Sequence, residues 1–270
     1  MEFCLREAFG GRWERRSEMN VKGKNILITG GAGGLGTAMA EVLADNGANI
    51  YILDLPFMEE KANEICAKLR EKGVEAYFEP IDGTVEEDWQ RVVADILTKT
   101  DHIDVLVSNA GINIRKNVEE MTMDEWMKMM AVNTGGVFLG MKYIIPQFRK
   151  QGGGSFITTS SQCGLIGHKF TTEAYTATKG AVTLLTKSIA SRYGHENIRA
   201  NCICPSTVNT PMLAERLKDP AFKAERLGEV PLGRFATAED VANSVLYLAS
   251  EEASFINGVA LPVDGGSTCD

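Results

Sequence analysis

A tyrosine and a lysine stand four places apart, Tyr175 and Lys179, in the stretch EAYTATKG. On a helix that spacing is one turn, so both side chains leave the same face with Cβ atoms about 6 Å apart. A nearby ammonium stabilises phenolate. Lys179 is therefore expected to draw the Tyr175 phenol down from its ordinary pKa of about 10, towards a range useful for proton transfer. The spacing alone equally describes a surface pair or a half-buried aromatic, and its surroundings decide between these. Ser161, at the end of SFITTSS, is able to hydrogen-bond a substrate oxygen and stabilise charge developing there. Read singly, Ser161 is a strand-end hydroxyl, and Asn133 in AVNTGGVF is an amide at a helix bend.

Metal chemistry lacks its ligands. His102, His168 and His195 lie far apart, with no helical pairing. The cysteines, Cys4, Cys66, Cys163, Cys202, Cys204 and Cys269, show no disulfide framework. Cys202 and Cys204 fall two apart in NCIC, which reads as a strand directing both side chains into a core. No catalytic metal is expected.

The elements that must position these groups alternate along the chain. KNILITG (24–30) is an apolar run closed by glycine, followed by a helix from about Gly34 to Asn46 that Gly47 stops. NIYILD (49–54) is a second strand, and a helix over about 57–72 ends at Gly73. VEAYFEP (74–80) is a third strand. Thr84 with Glu87 reads as a capping box opening the next helix, which carries Trp89, Val92, Val93, Ile96 and Leu97. IDVLVSNAG (103–111) is strand four. A second box, Thr122 with Glu125, starts a long helix passing Asn133 towards Pro146. SFITTSS (155–161) precedes the Tyr175 helix, which runs to about Tyr193, and IRANCIC (198–204) is strand six. Thr237 with Asp240 caps the last helix before GVALPVDGG (258–266). Continuous apolar strands alternating with long helices indicate a doubly wound, Rossmann-type α/β fold: one domain over 21–270, with a mostly parallel seven-stranded sheet and helices on both faces.

Composition agrees. The 270 residues are 44% hydrophobic and 24% charged with a net charge of −8, which suits a cytoplasmic enzyme and disfavours a nucleic-acid surface. No apolar run approaches the roughly 18 residues that span a bilayer. Residues 1–20 lack a continuous apolar stretch, against a secretory signal. Their separated Phe3, Leu5, Phe9 and Trp13 suit an arm docking on a neighbouring subunit, the alternative being a translation start at Met19.

Between the first strand and helix lies TGGAGGLG (29–36), and Asp54 ends the second strand 18 residues beyond Gly36. Glycines let backbone approach a pyrophosphate, and the N–H groups of a helix start meet its charge. A carboxylate at Asp54 can accept bonds from both adenosine ribose hydroxyls and repels a 2′-phosphate, with no Lys or Arg in the loop to offset it. NAD is therefore expected rather than NADP.

Over about residues 20–268 the chain resembles the short-chain dehydrogenase/reductase family. Thr29, Gly30, Gly34 and Gly36 match its glycine loop; SNAG (108–111) is similar to its Asn-Asn-Ala-Gly element, with Ser108 for the first Asn. Asn133, Ser161, Tyr175 and Lys179 match its catalytic set, and PSTVNTPM (205–212) its Pro-Gly segment, with Ser206 for glycine. Ser161 precedes Tyr175 by 14 residues, one more than the family's commonest spacing, as a one-residue loop insertion gives. The rival Ser160 is expected to point to the other side of the strand. The resemblance implies that Lys179 also holds the nicotinamide ribose and that Asn133 holds a water linking Lys179 to solvent. It further implies that Asp82 and Gly83 meet adenine, that Asn109, Ala110 and Gly111 form the wall behind it, and that Leu35, Val208 and Thr210 touch the cofactor. A homotetramer built through the helices at about 123–150 and 175–193 is implied too.

Residues 206–232 are expected to cover the substrate. With Met212, Leu213, Leu217, Phe222, Leu227 and Val230 there, and Cys163, Leu165, Ile166 and Phe170 before Tyr175, an apolar pocket would suit a hydroxysteroid or cyclic alcohol. These side chains equally serve to pack the cover onto the body. His168, Lys169, Thr171, Thr172, Asn113 and Arg115 keep a sugar, polyol or sugar-acid substrate open. A 3-oxoacyl thioester reductase commonly uses NADPH, which Asp54 disfavours. A cofactor-binding scaffold without catalysis is disfavoured by the intact set of four.

Overall fold

The computed structural model describes residues 19–209 and 216–269. Residues 1–18 of the arm expected at 1–20, and Thr210, Met212 and Leu213, lie outside the described residues.

Seven parallel strands form one sheet: β1 (Asn25–Thr29), β2 (Asn49–Asp54), β3 (Ala76–Pro80), β4 (Val105–Ser108), β5 (Gly154–Thr159), β6 (Ile198–Pro205) and β7 (Ala260–Val263). Their spatial order is β3-β2-β1-β4-β5-β6-β7. The order reverses between β1 and β4, and in such a sheet the crevice at the carboxyl ends of these strands is where ligands bind.

Strand periodicity sorts the two cores. Ile26, Ile28, Ile50, Ile52, Val105 and Val107 enter one cluster with α1 (Gly34–Asp45), α2 (Glu59–Arg70) and the last helix. Their immediate neighbours Leu27, Tyr51, Leu53 and Leu106 enter the opposite cluster, with α3 (Glu86–Ile96), α5 (Gly136–Gln151) and α6 (Glu173–Tyr193). Because successive side chains point to opposite faces, an unbroken apolar run supplies both layers. Among the described residues the further α-helices are α4 (Met123–Met130), α7 (Pro220–Gly228) and α8 (Ala238–Ala249).

The capping boxes at Thr122/Glu125 and Thr237/Asp240 are both present. The one expected at Thr84/Glu87 is not: α3 starts at Glu86 after Val85, with no side-chain cap. Asp82 wins the competition, since its Oδ1 accepts both the N–H and the hydroxyl of Thr84. Glu86, Glu87 and Asp88 crowd the first turn instead, favourable charges at a positive helix end. Five strands are shorter than expected: residues 24 and 30, 74–75, 103–104 and 109–111, 160–161, and 258–259 and 264–266 lie outside β1, β3, β4, β5 and β7 respectively. Pro146 sits inside α5, which ends at Gln151 before Gly152 in the left-handed region. Cys202 and Cys204 are buried and unpaired. Among the described residues no helix is long and apolar enough to cross a membrane, and no cluster of His, Cys, Asp and Glu could hold a metal.

Candidate active site

The turn after β1 is built from close backbone contacts. Gly30 has φ of +63°, which glycine adopts without strain, and a Cβ on it would come within 3.0 Å of Ala110 Cα. A Cβ on Gly36 would overlap the Gly30 carbonyl and approach Gly31 Cα to 2.7 Å. Gly33 caps α1 without any side-chain bond, and the first turn of α1 carries no acid. The N–H groups of this helix start, Leu35 included, are left for an anion. Asp54 Oδ2 accepts the Ala32 N–H at 3.0 Å and Oδ1 accepts the Leu55 N–H at 2.9 Å, which bolts the end of β2 to the glycine turn. These features fit a dinucleotide: a cradle that a Cβ would fill, an open helix start and an acid beside it.

The wall between the two halves hangs on Thr29. Its hydroxyl accepts the N–H groups of Asn109 and Ala110, at 3.0 and 3.1 Å. The Asn109 amide donates to the Thr29 and Gly30 carbonyls and accepts from Thr159. Asn109 therefore holds the crevice together with its side chain rather than offering it to a ligand. Asp82 is tied to Thr84 through Oδ1, and the Gly83 carbonyl accepts the Trp89 indole N–H. Val208 forms a bridge with Ala236 beyond β6.

The reactive groups converge from three elements. Ser161, in extended backbone just after β5, accepts the Cys163 N–H at 3.2 Å, and its hydroxyl is near enough to the Tyr175 phenol to bear on its titration. Ser160 turns the other way, bonding the Lys179 carbonyl and Thr183, as alternation along the strand requires. Thr172 caps α6 by accepting the Tyr175 N–H, which fixes the first turn carrying the tyrosine. Lys179 is 3% exposed; its Nζ donates to the Thr159 carbonyl at 2.7 Å and lies 5.6 Å from the Tyr175 ring centroid. Asn133 lies in a π-helical turn, Ala131–Gly135, between α4 and α5. Its amide pairs with both main-chain groups of Ile112 and donates to Thr178. A Cβ on Gly111 would lie 3.3 Å from Asn133 Oδ1 and 3.5 Å from Lys179 Nζ, so the glycine keeps that space open.

Electrostatics correct one expectation. Burial pushes the Tyr175 phenol well above its ordinary value, the neighbouring Cys163 thiol adds to this, and only the Ser161 hydroxyl opposes it. Lys179 does not offset this, being itself desolvated and committed to a carbonyl. Lys179 moves instead: burial lowers it to about 8. The site therefore presents a neutral phenol, the form that gives a proton, beside a lysine that exchanges protons near neutrality.

A lysine lowered by burial destabilises the fold below its folded pKa, and this cost is relieved as pH rises from there to the unfolded value. With about 8 folded against 10.5 unfolded, the cost below pH 8 is on the order of 3 kcal/mol. The cofactor-free protein is expected to gain stability relative to Lys179→Met between about pH 8 and 10.5. Parallel denaturant-midpoint curves for the two proteins would contradict this.

Thr29, matched above as the first residue of the glycine loop, holds the wall through its hydroxyl, and Thr159 is a structural key that the residue pattern does not announce. Thr159 acts through its carbonyl, which every residue has. Arg226 was likewise outside the expected set, an arginine in a helix of mixed charge with no motif around it.

Comparison with known proteins gives consistent relatives. A family model described as enoyl-(acyl carrier protein) reductase matches residues 30–268. Cyclopentanol dehydrogenase of Comamonas sp. (strain NCIMB 9872) is 39% identical over 250 residues, 93% of this chain and 99% of that protein. The 7alpha-hydroxysteroid dehydrogenase of Clostridium sardiniense is 34% identical, covering 91% of this chain and 94% of its own length. A solved gluconate 5-dehydrogenase from Burkholderia cenocepacia J2315, in complex with NADP and tartrate, superposes with a TM-score of 0.87 at 31% identity, over 93% of this chain and 97% of that one.

Proposed function

The chain belongs to the short-chain dehydrogenase/reductase family, and from that premise we propose that it interconverts a cyclic or similarly bulky apolar secondary alcohol and its ketone with NAD(H). The observation that carries this reading is buried Lys179 standing beside the Tyr175 ring and bonded to the Thr159 carbonyl at the end of β5, next to Ser161 and in the same sheet whose β1 end forms the glycine cradle.

Gly30, Gly34, Leu35 and Gly36 would hold the pyrophosphate, Asp54 the adenosine ribose, and Lys179 the nicotinamide ribose. Asp82, Gly83, Ala110, Gly111, Val208 and Thr210 would complete the surroundings of the cofactor. A nicotinamide held there would supply the hydride acceptor or donor for the carbinol carbon. The chain's own groups manage the oxygen. Ser161 donates a hydrogen bond to it and stabilises the charge that develops. Tyr175 gives its proton to the oxygen during ketone reduction and regains one through Lys179; during oxidation its own proton passes to neutral Lys179 as its oxygen takes the proton of the alcohol. Lys179 passes protons to and from the tyrosine, and Asn133 supports the opening beside Gly111 through which they leave.

Asp54 supports NAD because no Lys or Arg occurs between residues 25 and 60 to receive a 2′-phosphate. An apolar substrate is supported by the engagement of the polar groups that could have read a sugar. His168 lies 3.5 Å from Glu229, Thr172 bonds Asn113, and Lys169 faces Glu225. Cys163, Leu165, Ile166 and Phe170 would line the substrate side. The unpaired buried cysteines suit a reducing compartment, the cytoplasm. Phe138 and Leu184, 51% and 67% exposed on α5 and α6, support the tetramer contact through these helices.

The test is NAD⁺ and NADP⁺ reduction over a panel of cyclopentanol, cyclohexanols, hydroxysteroids, xylitol and gluconate. Cyclic alcohols with NAD⁺ are expected to give the highest kcat/KM. Turnover confined to gluconate or xylitol would overturn the substrate assignment, and preference for NADP⁺ would overturn that of Asp54. Light scattering of the same preparation is expected to give four chains per particle.

A further inference from the structure

Arg226, on α7, is 9% exposed and joins segments that are far apart in the chain. One guanidinium nitrogen donates to the Thr207 hydroxyl, two residues past the end of β6. Another donates to Glu229 at 2.6 Å and stands 3.5 Å from His168 Nε2. The guanidinium carbon lies 4.8 Å from the centroid of the Phe170 ring. His168 and Phe170 belong to the loop between Ser161 and Tyr175, so α7 is fastened to both walls of the crevice mouth. The site is close to the chemistry: the Arg226 charge bears on the Cys163 thiol, and Cys163 in turn bears on Tyr175.

Two roles are open to an arginine placed this way. As a reader of acidic substrates it would need its charge available, yet Glu229 neutralises it and Thr207 occupies a second nitrogen. As a fastener it needs a rigid fork that meets several partners at once and a flat face for an aromatic ring, which distinguishes arginine from lysine. Burial of the pair makes its geometry matter, since a desolvated charge tolerates no loose partner.

We propose that Arg226 is a positioning residue: it docks α7 against Thr207 on one side and His168 and Phe170 on the other, and so shapes the substrate end of the crevice. It touches neither the reacting atoms nor the cofactor. The inference rests on the alcohol dehydrogenase reading above for its kinetic consequence, but not for its structural one.

The experiment compares wild type, Arg226→Met, Arg226→Lys and Thr207→Val. Cyclopentanol and NAD⁺ serve as kinetic probes, NADH fluorescence as a binding probe, and limited trypsin digestion as a probe of cleavage after Lys218 and Lys223. Arg226→Met is expected to raise the KM for cyclopentanol by about 10- to 100-fold, with kcat and NADH affinity changed no more than about threefold. Cleavage after Lys218 and Lys223 is expected to accelerate. Arg226→Lys should recover only part of the loss, and Thr207→Val should move KM and cleavage in the same direction, less far. Unchanged KM and cleavage in Thr207→Val would overturn the proposal, as would a kcat loss in Arg226→Met equal to its kcat/KM loss. If wild type oxidises no alcohol, the dehydrogenase reading fails, and the digestion pattern alone still decides whether Arg226 fastens α7.

Discussion

Tyr175→Phe is expected to lower kcat for alcohol oxidation and for ketone reduction alike, by about 10²- to 10⁴-fold, while NADH binding stays within about twofold of wild type. The substitution removes one oxygen and keeps the ring, so the half-buried packing at the start of α6 persists. Thr172 still caps the helix through the backbone N–H of residue 175. The Ser161 hydroxyl retains its bond from Cys163 N–H, and Lys179 keeps the Thr159 carbonyl. Only the proton donor is gone. Because burial holds the phenol neutral, reduction depends on that single O–H as donor, and oxidation on its oxygen as acceptor once its proton has moved to neutral Lys179. Stopped-flow rates of NADH oxidation with cyclopentanone, beside an NADH fluorescence titration, separate chemistry from binding. Undiminished turnover would remove Tyr175 from the mechanism. Loss of NADH binding in proportion to activity would make it a cofactor-site residue instead.

Gly36→Ala is expected to cost about 1–3 kcal/mol of stability, because the added methyl meets backbone on both sides. The obstacles are the Gly30 carbonyl and Gly31 Cα, and neither can rotate away as a side chain would. Relief comes by moving the turn, and the turn is the cradle. Loss of about 3 kcal/mol of binding there is a drop of roughly 100-fold in NADH affinity. Calorimetric melting with and without NADH reads both effects. A variant with wild-type melting temperature and wild-type NADH affinity would mean that the close approach of α1 to the turn is dispensable.

The fold was legible because its signals are local or strictly periodic. Gly47 and Gly73, read as helix stops, both have positive φ of 83° and 84°. The capping boxes at Thr122 and Thr237 formed because no nearby group competes for the threonine hydroxyl. At Thr84 one does: the carboxylate of Asp82, two residues back, closes an Asx turn that the three-residue spacing of a capping box takes no account of. The site was legible as a set of residue types. Ser161 was separable from Ser160 by strand alternation alone, and the structure places them on opposite sides as expected.

By itself, then, the sequence determined which strands face both ways, where the backbone must be bare, and which side chains reach the crevice, since bonding pattern and pleat are properties of a few adjacent residues. Only the tertiary structure decided how those side chains are charged and held. The Tyr175 phenol rises rather than falls, and Lys179 falls to about 8, because desolvation depends on how much protein surrounds a group. That protein arrives from β5, β6 and the loop at Cys163. Asn133 is fully engaged by Ile112, 21 residues away, and Arg226 by Thr207, 19 residues away. Such partners carry no mark in the local pattern, because a carbonyl or a hydroxyl becomes a partner only when folding brings it within hydrogen-bonding distance.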